Sequence, residues 1–424
     1  MELNQLKNNI QDKAIENWIY KTQKKGTVES ITGSGKNFIF LKALYTMPKN
    51  RKDIKHIFLA ETTERQKDLE AEIIKYNKIF NVDVHKDYSL DFYCYQTVYK
   101  WKNFKFGLVG CDEIHDQLSP EYVKFHIYND YDAIIGLSAT ISASQYYCLK
   151  RDNDLVGFFG KTMVNKIDMI NEIAPICFTY TTSDGQIDGT SRKLNIYVVK
   201  NNLNSNMKCI KAGNSKVIFW QTEVDAYKYI NNKFNETLIL EQKPNELIVD
   251  FEIRKDLEIK KIASKRSKLL YNLKSKDVIV KILLNKIDEK TIIFGNSLES
   301  LERIIPNQVV SSNNTDEEND LIINKLNRNE IKSIGSFKKL KQGKNLPGLD
   351  ICIIKDYYSN EVDFIQKVGR LRQNNDKLGH VFVIVTEGTQ EVVWFNKMVQ
   401  NCKEYNYIIC ENSSEAIEQY NKYK

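Results

Sequence analysis

The chain alternates between short apolar runs and longer stretches whose apolar positions recur every three or four residues. "HIFLAETT" (56–63), "FGLVGCDE" (106–113) and "AIIGLSAT" (133–140) are strand-length apolar runs, each closed by polar residues. "GTVESI" (26–31) reads as a shorter strand and runs into a glycine turn. Between these runs the spacing changes. Ile10, Ala14, Ile15, Trp18 and Ile19 share one helical face, and "NFIFLKALYTM" (37–47) and "RQKDLEAEIIKYNKIF" (65–80) also read as helices. Strand, polar turn and helix in repetition predict an α/β fold, with parallel strands joined by crossover helices.

The pattern blurs between about 146 and 265. "APICFTYTT" and "LNIYVVKNN" look like strands with "SDGQIDGTSRK" as a loop between them, and residues 222–265 are charged and mostly helical. Regularity returns in "RSKLLYNLKSKDVIVKILLNKI", where Leu269, Leu270, Leu273, Val280, Leu283, Leu284 and Ile287 fall on one predicted helical face. "TIIFGNS", "IKSIGSF", "DICIIKDYY" and "GHVFVIVTEG" are further strands. "NNTDEEND" reads as an acidic loop leading into a helix, and "SNEVDFIQKVGRLRQ" as a helix. The expectation is two α/β lobes with parallel sheets, residues 1–175 and 176–424. The second carries an irregular, partly helical insertion around 195–265.

Composition narrows the class without naming it. Of 424 residues, 42% are apolar and 28% charged, which suits two or three domains with real cores and argues against a disordered chain. A net charge of +7 permits a local basic cleft for nucleic acid but is equally met by a lysine-rich surface. The eight cysteines show no Cys-x-x-Cys spacing, and with five scattered histidines they form no zinc pattern. Buried free thiols in a reducing, cytoplasmic compartment are expected. The N-terminal stretch is polar and amphipathic rather than a secretory signal, and no apolar run approaches the roughly 20 residues of a membrane span.

Four stretches carry chemistry. In Gly33-Ser34-Gly35-Lys36, between a strand and a helix, glycines can turn backbone N–H groups onto phosphates and a lysine can reach the outer ones. Its plain alternative is an ordinary strand-to-helix turn. Asp112-Glu113-Ile114-His115 puts two acids at a strand end, where one can hold magnesium and the other orient and deprotonate a water. A solvated acid pair starting a helix is the alternative. Ser138-Ala139-Thr140 follows another strand and means little alone. Gln366-Lys367-Val368-Gly369-Arg370-Leu371-Arg372 carries arginines suited to charge on a transferring phosphoryl group, or to a surface patch.

In this order, the four resemble motifs I, II, III and VI of the superfamily 2 helicases and translocases of the DEAD/DEAH-like group, with the restriction-type and UvsW-like branch nearest. The resemblance spans nearly the whole chain. Weaker stretches fall into line: Gln11 is similar to the glutamine that reads adenine, Thr62 and Thr63 to motif Ia, and Gln96 and Thr97 to motif Ib. "TIIFGNS" resembles motif IV, and "LKQGKNLPGLDICII", with Gly343 and Asn345, resembles motif V.

The resemblance implies two RecA-like lobes, a helicase ATP-binding domain and a helicase C-terminal domain, with the partly helical insertion after motif III. It implies ATP and Mg2+ as cofactors, and a nucleic acid, DNA rather than RNA, as partner. The protein would act as a monomer or within a replication or repair assembly, away from membranes. ATP would meet Gln11, Thr32, Gly33, Ser34, Gly35, Lys36, Asn37, Gly343, Asn345 and Arg372, and Asn37 and Asp112 would hold magnesium. Lys36, Asp112, Glu113, Gln366 and Arg370 would be catalytic. His115, with Ser138 and Thr140, would couple motif II to motif III or to Gln366. Thr62, Thr63, Gln96, Thr97, Asn296, Ser297, Lys338 and Lys339 would meet the nucleic acid. The lysines 338, 339, 341 and 344 also form a local positive density in their own right.

Three positions depart from the family pattern. Asn37 replaces the hydroxyl residue that closes motif I, although an amide oxygen can also ligate a hard cation. Ser30 stands where a glycine often opens that motif. Gln373 fills the place of the second motif VI arginine, with Arg372 one residue early, so Arg370 is the arginine finger the pattern supports. The expected function is an ATP-dependent helicase or translocase. One alternative is a nucleotide-gated nucleic-acid binding or annealing protein with weak hydrolysis. A remoter one is a phosphate-loop kinase.

Overall fold

The computed structural model describes residues 3–31, 33–139, 141, 146–149, 154–213, 218–244, 247–337, 346–357, 361–371 and 377–424. The chain divides into two compact units, Met1–Arg192 and Lys193–Lys424.

In the first unit the strands are β1 (Lys25–Ser30), β2 (Lys55–Ala60), β3 (Ser89–Cys94), β4 (Lys105–Cys111) and β5 (Asp130–Ser138), then a short antiparallel pair, β6 (Tyr146–Cys148) and β7 (Met163–Asn165), and finally β8 (Ile176–Tyr180). Six of them make one parallel sheet in the order β3-β2-β4-β5-β1-β8. Successive side chains of a strand point to opposite faces. Phe58, Leu108, Ile135 and Val28 therefore pack on one face against Trp18, Phe40 and Ile73 of the helices Leu3–Thr22, Lys36–Leu44 and Glu64–Phe80. Ile57, Leu59, Val109 and Ile134 pack on the other against Phe125, Leu155 and Met169. Trp18 is fully buried and its indole N–H donates to the Ile134 carbonyl at 2.8 Å, which fixes the first helix to the sheet.

The second unit contains β9 (Leu194–Asn201), the hairpin β10 (Ile210–Gly213) and β11 (Ile218–Gln221), then β12 (Thr291–Phe294), β13 (Val309–Ser311), β14 (Ser333–Phe337), β15 (Ile351–Ile354), β16 (Gly379–Thr386) and β17 (Asn406–Cys410). Seven form a parallel sheet in the order β13-β14-β12-β15-β16-β9-β17. Odd and even positions again serve separate cores. Ile196, Val198, Cys352 and Val383 lie in one, and Tyr197, Val199, Ile353 and Phe382 in the other.

The structure corrects the sequence reading in four places. The units divide after Arg192, not after 175, because β8 pairs with β1 at the edge of the first sheet. The strand Leu194–Asn201 is no part of an insertion; it lies inside the second sheet between β16 and β17. "SDGQIDGTSRK" is not all loop, since Thr182–Asp188 is helical, started by reciprocal hydrogen bonds between Thr181 and Asp184. The single predicted helical face over 266–287 belongs to two helices, Ile248–Tyr271 and Lys274–Lys286. Leu270 and Leu273 pack with Tyr227, whereas Val280, Leu283 and Ile287 pack under the sheet.

Candidate functional site

All strands of the first sheet run the same way, so β1, β2, β4 and β5 end on one edge, where such sheets gather their sites. With β5 lying between β4 and β1, the chain leaving β1 and the acids leaving β4 become near neighbours.

After β1 the backbone turns through Gly33 (φ 93°) and Gly35 (φ 84°), left-handed conformations that glycine adopts without a Cβ clash. A Cβ on Gly35 would fall 2.5 Å from Gln11 Nε2, while none would meet an atom within 4 Å at Gly33. Gln11 is buried against this turn, donating from Nε2 to the Ser34 carbonyl at 3.1 Å, and the Ser34 hydroxyl donates to the Ile31 carbonyl at 2.9 Å. The helix Lys36–Leu44 starts immediately, with half-buried Asn37 in its first turn.

Lys36 reaches out of that turn to Glu113, Nζ to Oε1 3.2 Å. Glu113 itself sits in a left-handed conformation (φ 45°), unfavourable for a side chain and tolerated where surrounding contacts enforce it. Its other carboxylate oxygen lies 3.5 Å from His115 Nδ1 and accepts from the Ala139 N–H at 3.3 Å. His115 Nδ1 is also 2.8 Å from the Ser138 hydroxyl. One continuous polar chain thus joins the glycine loop, the acid pair and the end of β5. Within the first unit His115 therefore sits beside Ser138 of motif III.

The acids differ in environment. Burial holds Asp112 above the ordinary carboxylate range, with Arg65 opposing it and Glu113 reinforcing it. Burial also works against ionisation of Glu113, but Lys36, His115 and Arg65 outweigh it and its carboxyl lies below the usual value. The Arg65 guanidinium approaches Asp112, Nε to Oδ2 3.3 Å, and Asp68 at 3.8 Å. The Tyr95 hydroxyl donates to the Asp112 carbonyl.

Further along the same edge, Thr62, Thr63 and Thr97 line a recess of ≈ 160 Å³ together with Gln66, Tyr93 and Cys94. The predicted backbone-contacting threonines are therefore brought together. Gln96 is exposed beside them in the short helix Tyr95–Val98.

In the second unit, Gln366 lies in the helix Glu361–Val368 and Arg370 in the turn that follows, one helical turn apart and both buried. The Asn296 N–H donates to Asp356 Oδ2 at 2.8 Å. Ser297 is buried, caps the helix Leu298–Ile304 and donates to Asn272 Oδ1 at 2.6 Å. Its hydroxyl is committed within the unit, which leaves half-buried Asn296 the more accessible of the pair. Thr32, Thr140, Lys338, Lys339, Lys341, Gly343, Lys344, Asn345, Arg372 and Gln373 lie outside the described residues.

Sequence reasoning missed two residues. Arg65 was read only as the first residue of a helix, yet it contacts Asp112. Glu29 accepts from the Ile141 N–H at 2.9 Å, tying the segment after β5 to β1. An acid at the end of an otherwise buried strand was the available signal for Glu29.

The donor set suits magnesium, a hard ion usually held by one or two protein oxygens plus phosphate and water. Asp112 offers a carboxylate that already faces a cation, and Asn37 an amide oxygen. Among the described residues no group of three or more His, Cys, Asp or Glu forms a metal cage, and that ion does not require one. Six cysteines are buried, Cys94 is half-buried and Cys148 exposed, all as free thiols. No helix among the described residues is long and apolar enough to cross a membrane.

A glycine turn between a strand and a helix, with an acid pair two strands away on the same sheet edge, defines a phosphate-loop nucleotide-binding architecture. Comparison narrows the class. Residues 5–143 match the family model for the type III restriction enzyme, res subunit, and residues 274–375 that for the helicase conserved C-terminal domain. No curated protein matches. Among solved structures, S. cerevisiae Dbp5 bound to RNA and ADP BeF3 aligns at TM-score 0.55 and 12% identity, covering 97% of this chain and 92% of that one. The ATP-dependent type ISP restriction-modification enzyme LlaBIII bound to DNA aligns at 0.54 and 13%, covering 98% of this chain and 32% of that one. Together with the two parallel-sheet units, these matches place the chain in the superfamily 2 helicases of the DEAD/DEAH-like group, a class of nucleic-acid helicases and translocases that use ATP with a divalent metal.

Proposed function

We propose that this protein is a nucleic-acid-stimulated ATPase that moves along or remodels DNA. The observation that carries the reading is the chain Lys36–Glu113–His115–Ser138, which ties the glycine loop to the acid pair and to the end of β5. Lys36 and the loop N–H groups hold the outer phosphates. Glu113, kept ionised by its cationic neighbours, orients and deprotonates the attacking water. Asp112 and Asn37 would hold magnesium, which when bound neutralises charge on the phosphates. In the second unit, Arg370 is the arginine whose charge suits a transferring phosphoryl group. Thr62, Thr63, Thr97 and Asn296 meet the strand through its backbone, so binding is sequence-tolerant and weakens with salt.

DNA is favoured over RNA by the match of residues 5–143 to a restriction-enzyme family. ATP turnover measured with single-stranded, duplex and forked DNA and the matching RNAs, alongside displacement of tailed duplexes, tests this. Stimulation by DNA is expected. Stimulation by RNA alone overturns the choice of substrate, and none by either overturns the reading.

A further inference from the structure

Arg65 holds a position that the proposed chemistry does not use. It stands in the first turn of the helix Glu64–Phe80, two residues after Thr63, and its N–H donates to the Thr62 carbonyl at 3.2 Å. Its side chain does not follow Thr62 and Thr63 into the recess they line with Thr97. It runs instead to Asp112, Nε to Oδ2 3.3 Å, with only 20% of its side-chain surface exposed, and NH1 lies 3.8 Å from Asp68. Asp112 is buried, and an ionised buried carboxylate needs a cation beside it. A divalent cation at Asp112 would bring a second positive charge against this guanidinium, and the two repel at short range.

We propose that Arg65 is the resident counter-ion of Asp112, and that exchange of its guanidinium for a divalent cation links nucleotide binding to the Thr62-Thr63 turn. This rests on the reading of Asp112 as a metal-holding residue. Without nucleotide, Arg65 neutralises the carboxylate. When the cation arrives, Arg65 withdraws, and because it belongs to the same turn as Thr62 and Thr63, that turn moves with it. Linkage is reciprocal. A strand seated on Thr62 and Thr63 draws Arg65 away from Asp112 and so tightens binding of metal and nucleotide. Arg65 is a positioning residue here, since it acts through Asp112 and the threonine turn.

The test is equilibrium binding of Mn2+ with ADP, followed by paramagnetic resonance of the free ion, with and without saturating single-stranded oligothymidylate. In the wild type the oligonucleotide should lower the dissociation constant. Arg65→Gln, which removes the charge but keeps an amide, should tighten Mn2+·ADP binding several-fold without oligonucleotide and bring the ratio of the two constants close to one. Arg65→Lys should keep both near wild type, as a purely packing role would not. Unchanged or weaker Mn2+·ADP binding in Arg65→Gln, in a protein that melts like wild type, overturns the proposal. Lys36→Ala separates the two levels. If it binds Mn2+·ADP as the wild type does, the nucleotide-site reading itself fails, and the role of Arg65 falls with it.

Discussion

Lys36 Nζ lies 3.2 Å from Glu113 Oε1, so the lysine proposed to hold phosphate is paired with the acid proposed to activate water. On the proposed mechanism, nucleotide draws the lysine away and releases Glu113 toward a bound water. Two variants should then diverge. Lys36→Ala loses a charge-assisted contact to phosphate and should weaken nucleotide binding about 10- to 100-fold. Glu113→Gln removes the base and should lower stimulated turnover about 10²- to 10⁴-fold, with nucleotide binding equal to or tighter than wild type. Titration of a fluorescent ATP analogue, run beside phosphate-release assays, reads both. Wild-type-like turnover in either variant would sink the mechanism.

Asn37 sets a second test. Its amide oxygen stands where the family pattern has a hydroxyl, so Asn37→Thr should lower the magnesium concentration giving half-maximal turnover by about a few-fold and leave the maximal rate within about threefold. Magnesium titrations of the ATPase rate measure this. A rise of roughly tenfold or more in maximal rate would favour the nucleotide-gated clamp, in which Asn37 itself suppresses hydrolysis.

What the sequence made legible follows burial. β2, β4, β5, β12, β15 and β16 lie inside their sheets and read as apolar runs. Among the strands of the two large sheets, β3, β13 and β17 were missed, and each is a sheet edge. Strands β3 and β17 are mostly half-buried or exposed, and β13 is only three residues long, too short for a pattern. The break after Tyr271 has no glycine or proline to mark it; it arises because Leu270 and Leu273 serve one cluster and Val280 and Leu283 another. At the site, the glycine loop and acid pair were legible because their chemistry is local. Arg65 was not, because its contact with Asp112 depends on β2 lying beside β4, a fact of sheet order.

Two buried histidines make the stability of the first unit depend on pH. Burial pushes His56 down to about 4 and His126 to about 3. His56 Nδ1 accepts from the Leu108 N–H at 3.0 Å, and among the described residues neither ring nitrogen of His126 has a hydrogen-bond partner. Unfolding restores an ordinary value near 6.5, so below that pH the unfolded chain takes up protons that the folded one refuses. The stabilisation is complete above about pH 6.5 and declines as pH falls toward 4, by about 1.4 kcal/mol per pH unit for each histidine. Urea midpoints for the first unit between pH 8 and pH 5 should show this decline. His126→Phe, which keeps a ring against Phe125 and Tyr131, should remove about one histidine's share of the slope. An equally steep profile in the variant would show that His126 is not the group responsible.

At the C-terminal ends of β12, β15 and β16 lies a fully buried charge network. Lys276 Nζ is 2.5 Å from Glu391 Oε1 and 3.6 Å from Asp356 Oδ1, with all three side chains inaccessible to solvent. Lys355 pairs with Asp356 at 3.1 Å and donates to the Tyr271 carbonyl at 2.8 Å. Asp356 in turn accepts from the Asn296 N–H, and Glu391 from the Thr386 N–H at 3.0 Å. The network therefore fixes the loop after β12, where Asn296 is proposed to meet the strand. Removing one partner of a buried pair strands the other, whereas removing both with apolar replacements largely cancels. Lys276→Met should destabilise the second unit by about 3–5 kcal/mol. Lys276→Met with Glu391→Leu should recover much of that loss, because Asp356 keeps Lys355. Guanidinium unfolding of Lys276→Met, Glu391→Leu, the double variant and the wild type decides it. A double variant as unstable as the sum of its singles would mean that Lys276 and Glu391 do not act as a pair.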